Sequence, residues 1–359
     1  MGTKTTTSSY STLQLLTLNG PEYRRVSTAP PRAPSVDEIP VIDMSQIEGD
    51  IKARKELAQK IKLAAENTGF FYIRNHGISD ELIQGALNQA KTFFNQSIEL
   101  KEKVDRRNYK AFQGYHGVST TQINDSETKD NKETFSIRYD ESTDPLHASS
   151  TTKPSSSSLD ELWDGVSHIP GFRSTTVEFW QQQLTLARKI IRIIALALDL
   201  EEDYFDDVVT HPGADALYIH YPGVADLSDG ASVDVGIGSH TDIQCFTLLW
   251  QDNSGGLQVL SSEGEWLDAK PIEGTFVVNI ADFLQILSNN KFKSTVHRVY
   301  NRQTKSRYSM PFFFGFNPES VCSVVPTCID ETHPALYKPI SCGQWHQDRL
   351  TLASLHMKK

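Results

Sequence analysis

His240-Thr241-Asp242, then His297, then Arg307-Tyr308-Ser309 are the residues of this chain whose types and spacing point to chemistry. Two neutral imidazoles and one carboxylate can occupy one face of a six-coordinate Fe(II) ion and leave three positions open for a chelating co-substrate and O2. If Ser239 to Ile243 is extended, His240 and Asp242 point to one side, because strand side chains alternate. His297 lies in Ser294-Thr295-Val296-His297-Arg298-Val299, a β-branched run that reads as a strand facing the first across the core. In a chain with 11 histidines, one His-x-Asp triplet arises readily by chance, and a histidine in a strand is usually a satisfied core residue. Arg307 and Ser309 add a second constraint. Two apart on a strand they share a face, where a guanidinium fork and a hydroxyl can hold a carboxylate. On the surface Arg307 would mean nothing, whereas buried it would call for an anion.

The elements that must position these groups follow from periodicity. From about residue 214 the chain reads as short strands separated by turns: Ala216 to Tyr221, Gln244 to Gln251, Gly256 to Leu260, Trp266 to Ala269, Thr275 to Ile280, Thr295 to Tyr300 and Ser306 to Phe316. So many short strands indicate a sandwich or jelly roll. Before them, Val177, Trp180, Leu184, Ala187, Ile191, Ile194 and Leu198 trace one apolar stripe, a long helix that Thr175 to Glu178 would open as a capping box. Further back, Ile39 to Asp43 and Phe70 to Ile73 read as strands. Ile51 to Asn67 reads as a helix ended by Gly69, and Ser79 caps another. The stretch 145–158 is polar and serine-rich and reads as a surface loop.

The expected organisation is a flexible tail over 1–35 and an N-terminal mixed α/β region over 36–205. A catalytic core follows over 206–330 and a helical tail over 331–359, where Trp345 to Met357 reads as a possible lid; together they make one integrated unit.

Composition excludes rather than selects. The chain has 359 residues, 38% of them hydrophobic and 22% charged, as in an ordinary globular protein. A net charge of −10 without a long basic run argues against nucleic acid. Cys245, Cys322, Cys328 and Cys342 form no C-x-x-C pair, so free thiols in a reducing compartment are expected, with the cytoplasm as the location. The start lacks the apolar segment of a secretory signal and Met1 to Thr6 fits only a loose lipidation pattern. The longest apolar stretch, Ile190 to Leu198, is too short to cross a bilayer. No membrane partner is expected, and a monomer or weak homo-oligomer suffices.

From Ile39 to about Asn317 the chain resembles the isopenicillin N synthase-like branch of the Fe(II)/2-oxoglutarate-dependent dioxygenases. The resemblance rests on Ile39-Pro40-Val41-Ile42-Asp43, Gly69 to Ile78, His220-Tyr221-Pro222, the His-x-Asp triplet, Gly255 to Val259, Gly264-Glu265-Trp266, Val278 to Asp282 and Phe292 to Val299, all in the family's order. The segment after His240 is more similar to fungal members. The resemblance implies an α+β fold, a double-stranded β-helix (jelly-roll) core with flanking N-terminal helices and a long bracing helix. It implies that His240, Asp242 and His297 bind Fe(II), that Arg307 and Ser309 take the distal carboxylate of 2-oxoglutarate, and that Tyr221 also bonds the co-substrate. It implies oxidation of a small organic metabolite with O2, by hydroxylation, desaturation or ring formation, releasing succinate and CO2. His76 and His220 are expected to pack rather than ligate. Phe313, on the face shared by Arg307 and Ser309, is the first candidate for substrate contact, with Tyr115, Phe135 and Ile137 as further candidates. Two other readings stay open: an oxidase like isopenicillin N synthase that uses no 2-oxoglutarate, and a non-catalytic binding protein on the same scaffold. A zinc hydrolase fits the Arg-x-Ser pair less well.

Overall fold

The computed structural model describes residues 9–18, 20–109, 113–147, 159–224, 235–301 and 303–354. The Gly2 pattern, most of the serine-rich stretch and Met357 lie outside them. A hairpin comes first, β1 (Tyr10–Thr17) and β2 (Gly20–Ser27). The N-terminal half then supplies β3 (Val41–Asp43), β4 (Phe70–Arg74), β5 (Gly114–His116) and β6 (Glu133–Ile137). The second half supplies β7 (Ala214–Tyr221), β8 (Val235–His240), β9 (Phe246–Gln251), β10 (Leu257–Leu260), β11 (Trp266–Asp268), β12 (Thr275–Ile280), β13 (His297–Tyr300) and β14 (Arg307–Phe314).

An eight-stranded sheet in the order β3-β4-β12-β9-β14-β7-β6-β5 faces a four-stranded sheet in the order β11-β10-β13-β8. Between them lies an apolar cluster to which the large sheet contributes Ile219, Tyr221 and Val277, and the small sheet Leu257, Val259 and Val299. This is the α+β jelly-roll arrangement. Strands β3 to β6, from the N-terminal half, belong to the same sheet as β7, β9, β12 and β14, so the two halves share one framework.

The outer face of the large sheet packs on helices. On β14, Met310, Phe312 and Phe314 enter the helix-side core with Trp180, Ile190 and Ile194. Alternation then turns Arg307, Ser309, Pro311 and Phe313 toward the space between the sheets. The long helix spans Phe172–Ala197, and it does not begin at the Thr175–Glu178 box. Gly171, at φ +77°, precedes the first turn without a side-chain cap. The reason is burial: Phe172 is fully enclosed, with its ring 5.1 Å from Phe135 and 5.5 Å from Phe93, and it carries the apolar stripe one turn further back. The two earlier helices, Ile51–Asn67 and Asp80–Phe94, are capped by the Asp50 and Ser79 side chains. No helix among the described residues is long and apolar enough to cross a membrane.

The segment read as a tail is corrected most. Tyr10–Thr17 and Gly20–Ser27 pair antiparallel, and Leu13, Leu15 and Val26 form a buried cluster with Leu260, Trp266 and Val296. The Ser27 N–H donates to the Gly264 carbonyl at 2.7 Å, and a side chain at Gly264 would strike the Arg25 carbonyl. Arg32 is then fixed by Glu38 and Glu265, at 2.6 and 2.7 Å. Sparse apolar content hid the alternation of Leu13 and Leu15, and the following Asn19-Gly20 is a strong hairpin signal. Leu13→Ala is therefore expected to destabilise the protein by about 2 kcal/mol or more, read as a lower unfolding midpoint. A tail residue would leave the midpoint unchanged.

Candidate metal centre

His240 is the last residue of β8 and His297 the first of β13, and the two are directly paired across neighbouring strands of the small sheet. His297 thus stands beside His240 rather than across the core. Strand pairing brings opposite side chains to within contact of one another, and the two rings lie 4.3 Å apart. Asp242 is not in the strand. It swings inward just beyond the end of β8, its carbonyl accepting from the Asp282 N–H at 3.0 Å. Asp242 Oδ1 lies 3.6 Å from His240 Nε2 and 3.7 Å from His297 Nε2, and one ligand atom from each residue falls within 4.8 Å of the others. These separations exceed hydrogen bonds and suit three groups converging on one ion.

Surrounding dipoles orient all three. His240 Nδ1 lies 2.7 Å from the Gly238 carbonyl, and His297 Nδ1 lies 3.1 Å from that of Thr295. A carbonyl only accepts, so each Nδ1 carries the proton and each Nε2 turns its lone pair toward Asp242. Asp242 Oδ2 accepts from the Thr247 hydroxyl and, at 2.7 Å, from the Asn279 amide, which leaves Oδ1 as the oxygen facing the imidazoles. Burial, with the neighbouring His297 adding to it, pushes His240 down to about 4, so it is neutral near pH 7. Burial pushes the Asp242 carboxyl up, but the two imidazoles with the Thr247 and Asn279 donors outweigh it and hold it below the usual carboxylate range. A neutral His240 beside an ionised Asp242 suits Fe(II).

Arg307 is 0% exposed. Its Nε donates to the Gly255 carbonyl at 2.6 Å, while the terminal nitrogens reach Ser309 Oγ at 3.3 Å and Gln251 Oε1 at 3.2 Å. The guanidinium lies 4.6 Å above the ring of Tyr221, its partner across β14 and β7. Among the described residues no carboxylate pairs with it, and an unpaired buried guanidinium is a site for an incoming anion. The surroundings of Arg307 thus fit an incoming carboxylate.

Phe313 is half-buried on the interior face of β14, opposite Thr247 of β9 and Asp215 of β7. Tyr115, Phe135 and Ile137 are not on that face. All three belong to the helix-side core; Tyr115 donates its hydroxyl to Glu133 at 2.7 Å and Phe135 packs 4.8 Å from Phe93. Strand parity explains the displacement: Phe135 pairs with Tyr218 and Ile137 with Ala216, whereas Thr134 and Ser136 pair with Ile219 and Leu217 of the interior set. His76 accepts from the Ile78 N–H and packs edge-on to Phe276. His220 lies between Glu133 and Ser306, stacked on Tyr308. Both are away from the metal cluster.

Sequence reasoning missed Thr247, Gln251 and Asn279, for polar residues inside apolar strands carried the only signal. It also missed a latch. Arg349, on the C-terminal helix Cys342–Ser354, pairs with buried Asp282 at 2.7 Å; the Asp282 carboxylate also accepts from the Thr241 hydroxyl, and Trp345 Nε1 donates to the Ile243 carbonyl at 2.9 Å. The helix expected from Trp345 begins at Cys342 and lies against the His-x-Asp loop.

Two family models match: the non-haem dioxygenase in morphine synthesis N-terminal model over residues 39–157, and the 2OG-Fe(II) oxygenase superfamily model over residues 213–316. The 2-oxoglutarate-Fe(II) type oxidoreductase ppzC of Metarhizium rileyi is 40% identical over 349 residues, which cover 94% of this chain and 93% of that one. Azadirone synthase LFS of Melia azedarach is 34% identical over 83% of this chain and 89% of its own. Among solved structures, Neurospora crassa T7H in complex with alpha-KG and thymine superimposes with a TM-score of 0.73 at 30% identity, over 90% of this chain and 99% of that one. Metal-binding motif, jelly roll and relatives agree: this chain belongs to the 2OG-Fe(II) oxygenase superfamily, as a 2-oxoglutarate-dependent non-haem iron oxygenase of the fungal kind.

Proposed function

We propose that His240 Nε2, Asp242 Oδ1 and His297 Nε2 hold the Fe(II), and that Arg307 and Ser309 bind the distal carboxylate of 2-oxoglutarate. The observation that carries this reading is the fully buried Arg307 with neutral partners only, on the interior face of the sheet that also carries Thr247 and Asn279. Tyr221 supplies an aromatic floor beneath the guanidinium. Bound together, Fe(II), 2-oxoglutarate and O2 supply oxidation of a substrate C–H bond coupled to decarboxylation to succinate and CO2.

The chain's own contribution is orientation and exclusion. Carbonyls of Gly238 and Thr295 fix both imidazole tautomers, and Thr247 and Asn279 hold Asp242 to one free oxygen. Phe313, paired with Thr247 across β14 and β9, offers an apolar surface on the same sheet face to help keep water from the reacting bond. The substrate is a small organic metabolite of the kind modified in specialised metabolism. An oxidase of the isopenicillin N synthase kind would turn the Arg-x-Ser pair to its substrate instead; relatives named as 2-oxoglutarate-Fe(II) oxidoreductases favour the 2-oxoglutarate reading.

Arg307→Ala is expected to weaken 2-oxoglutarate binding by about 30-fold or more, with iron affinity changed far less, because a buried charge-assisted pair is lost. Anaerobic titration of the Fe(II)–2-oxoglutarate absorption band measures both, and unchanged co-substrate affinity would overturn the assignment. Asn279→Ala should weaken iron binding by about 10–100-fold, as losses of a ligand's orienting partner do. Anaerobic Fe(II) should raise the unfolding midpoint of the native chain, and His297→Ala should abolish that rise.

A further inference from the structure

A cavity of about 510 Å³ ends on His240 and Thr241, within the roughly 300–1,000 Å³ range of small-molecule sites. One wall is the N-terminal hairpin, through Leu15, Leu16, Glu22 and Arg24, and the opposite wall is the C-terminal helix, through Trp345, Arg349 and Leu352. Neither wall lies within the residues matched by the family models, 39–157 and 213–316, whereas the metal cluster does. The hairpin is built onto the site. Asn124, itself buried, donates at 3.0 Å to the Gln14 carbonyl of β1 and at 3.0 Å to the Ser239 carbonyl beside His240. Leu13 and Leu15 share their core with Val296, the neighbour of His297.

The electrostatics of the walls are equally specific. Two arginines line the cavity, and both are neutralised: Arg24 by Glu22 at 2.7 Å and Arg349 by Asp282 at 2.7 Å. Asp125 adds an acidic group on the loop beside Asn124. Among the described residues, a carboxylate entering here finds no unpaired guanidinium and meets acidic side chains, while apolar surface comes from Leu16, Ile123, Ile243 and Leu352.

We propose that the N-terminal hairpin is a specificity-determining wall of the substrate site, and that it selects an uncharged, largely apolar metabolite over a carboxylic acid. This rests on the assignment of His240 as an iron ligand. The Glu22–Arg24 pair acts as the filter against anions, and Leu16 sets the depth available to an apolar body.

The test uses the full chain loaded anaerobically with Fe(II) and 2-oxoglutarate, and a panel of matched carboxamide and carboxylate pairs, from benzamide and benzoate to indole-3-acetamide and indole-3-acetate. Perturbation of the charge-transfer band reports binding. Carboxamides are expected to bind at least tenfold tighter than their acids. Leu16→Trp and Leu352→Trp should each weaken them more than tenfold in chains that still form the charge-transfer band with Fe(II) and 2-oxoglutarate. Glu22→Gln frees Arg24 and should strengthen the acids several-fold, a gain that misfolding does not produce. Acids that bind as well as amides, no amide that perturbs the band, or amide binding indifferent to both tryptophan substitutions would each overturn the proposal. If the charge-transfer band never forms, the failure lies instead with the iron and 2-oxoglutarate assignment.

Discussion

A fully buried guanidinium with no carboxylate beside it among the described residues governs the interior of this protein. Taking the Arg307 charge out of water is costly, and neutral dipoles from Gly255, Ser309 and Gln251 offset only part of that cost. The fold tolerates it because each neighbour is fixed by a strand. Gln251 ends β9, Ser309 follows on β14, Tyr221 is the cross-strand partner on β7, and Gly255 sits in the turn before β10. The eight-stranded sheet thus holds the guanidinium in place, and the cost of ordering it is met at folding.

The metal end follows the opposite electrostatic logic. There a carboxylate meets two imidazoles, and Thr247 and Asn279 contribute donors rather than charge. Burial holds His240 neutral, and Asp242 stays ionised. The two ends come from two sheets: the small one brings the histidines together and the large one carries Arg307 and the residues that steady Asp242.

Much of this was legible from residue order because period-two strands make face membership a matter of parity. Arg307, Ser309 and Phe313 share a face by that rule alone, and the structure places them so. Phe135 and Ile137, placed in the substrate set by resemblance alone, are apolar because they pack on helices, and the interior positions of β6 are the polar Thr134 and Ser136. Apolar character marks burial, not the side on which burial occurs. The placement of His297 beside His240 was hidden for a different reason, since strand order in a jelly roll is set by long-range pairing that local pattern does not encode. Residues 10–27 were hidden by composition, because three apolar anchors suffice where a preformed surface of Leu260, Trp266 and Val296 receives them.

The two ends of the described chain meet at one short loop, and that has a mechanical consequence. The hairpin reaches Ser239 through Asn124, and the C-terminal helix reaches Thr241 through Arg349 and Asp282; these contacts bracket His240 on both sides. Asp282 also binds the Asp242 carbonyl through its N–H, so the ion pair that seats the helix bears on the backbone of a candidate metal ligand. Well-packed interiors transmit small displacements rather than absorbing them. A ligand lodged between hairpin and helix would therefore touch the elements that flank His240 and Asp242.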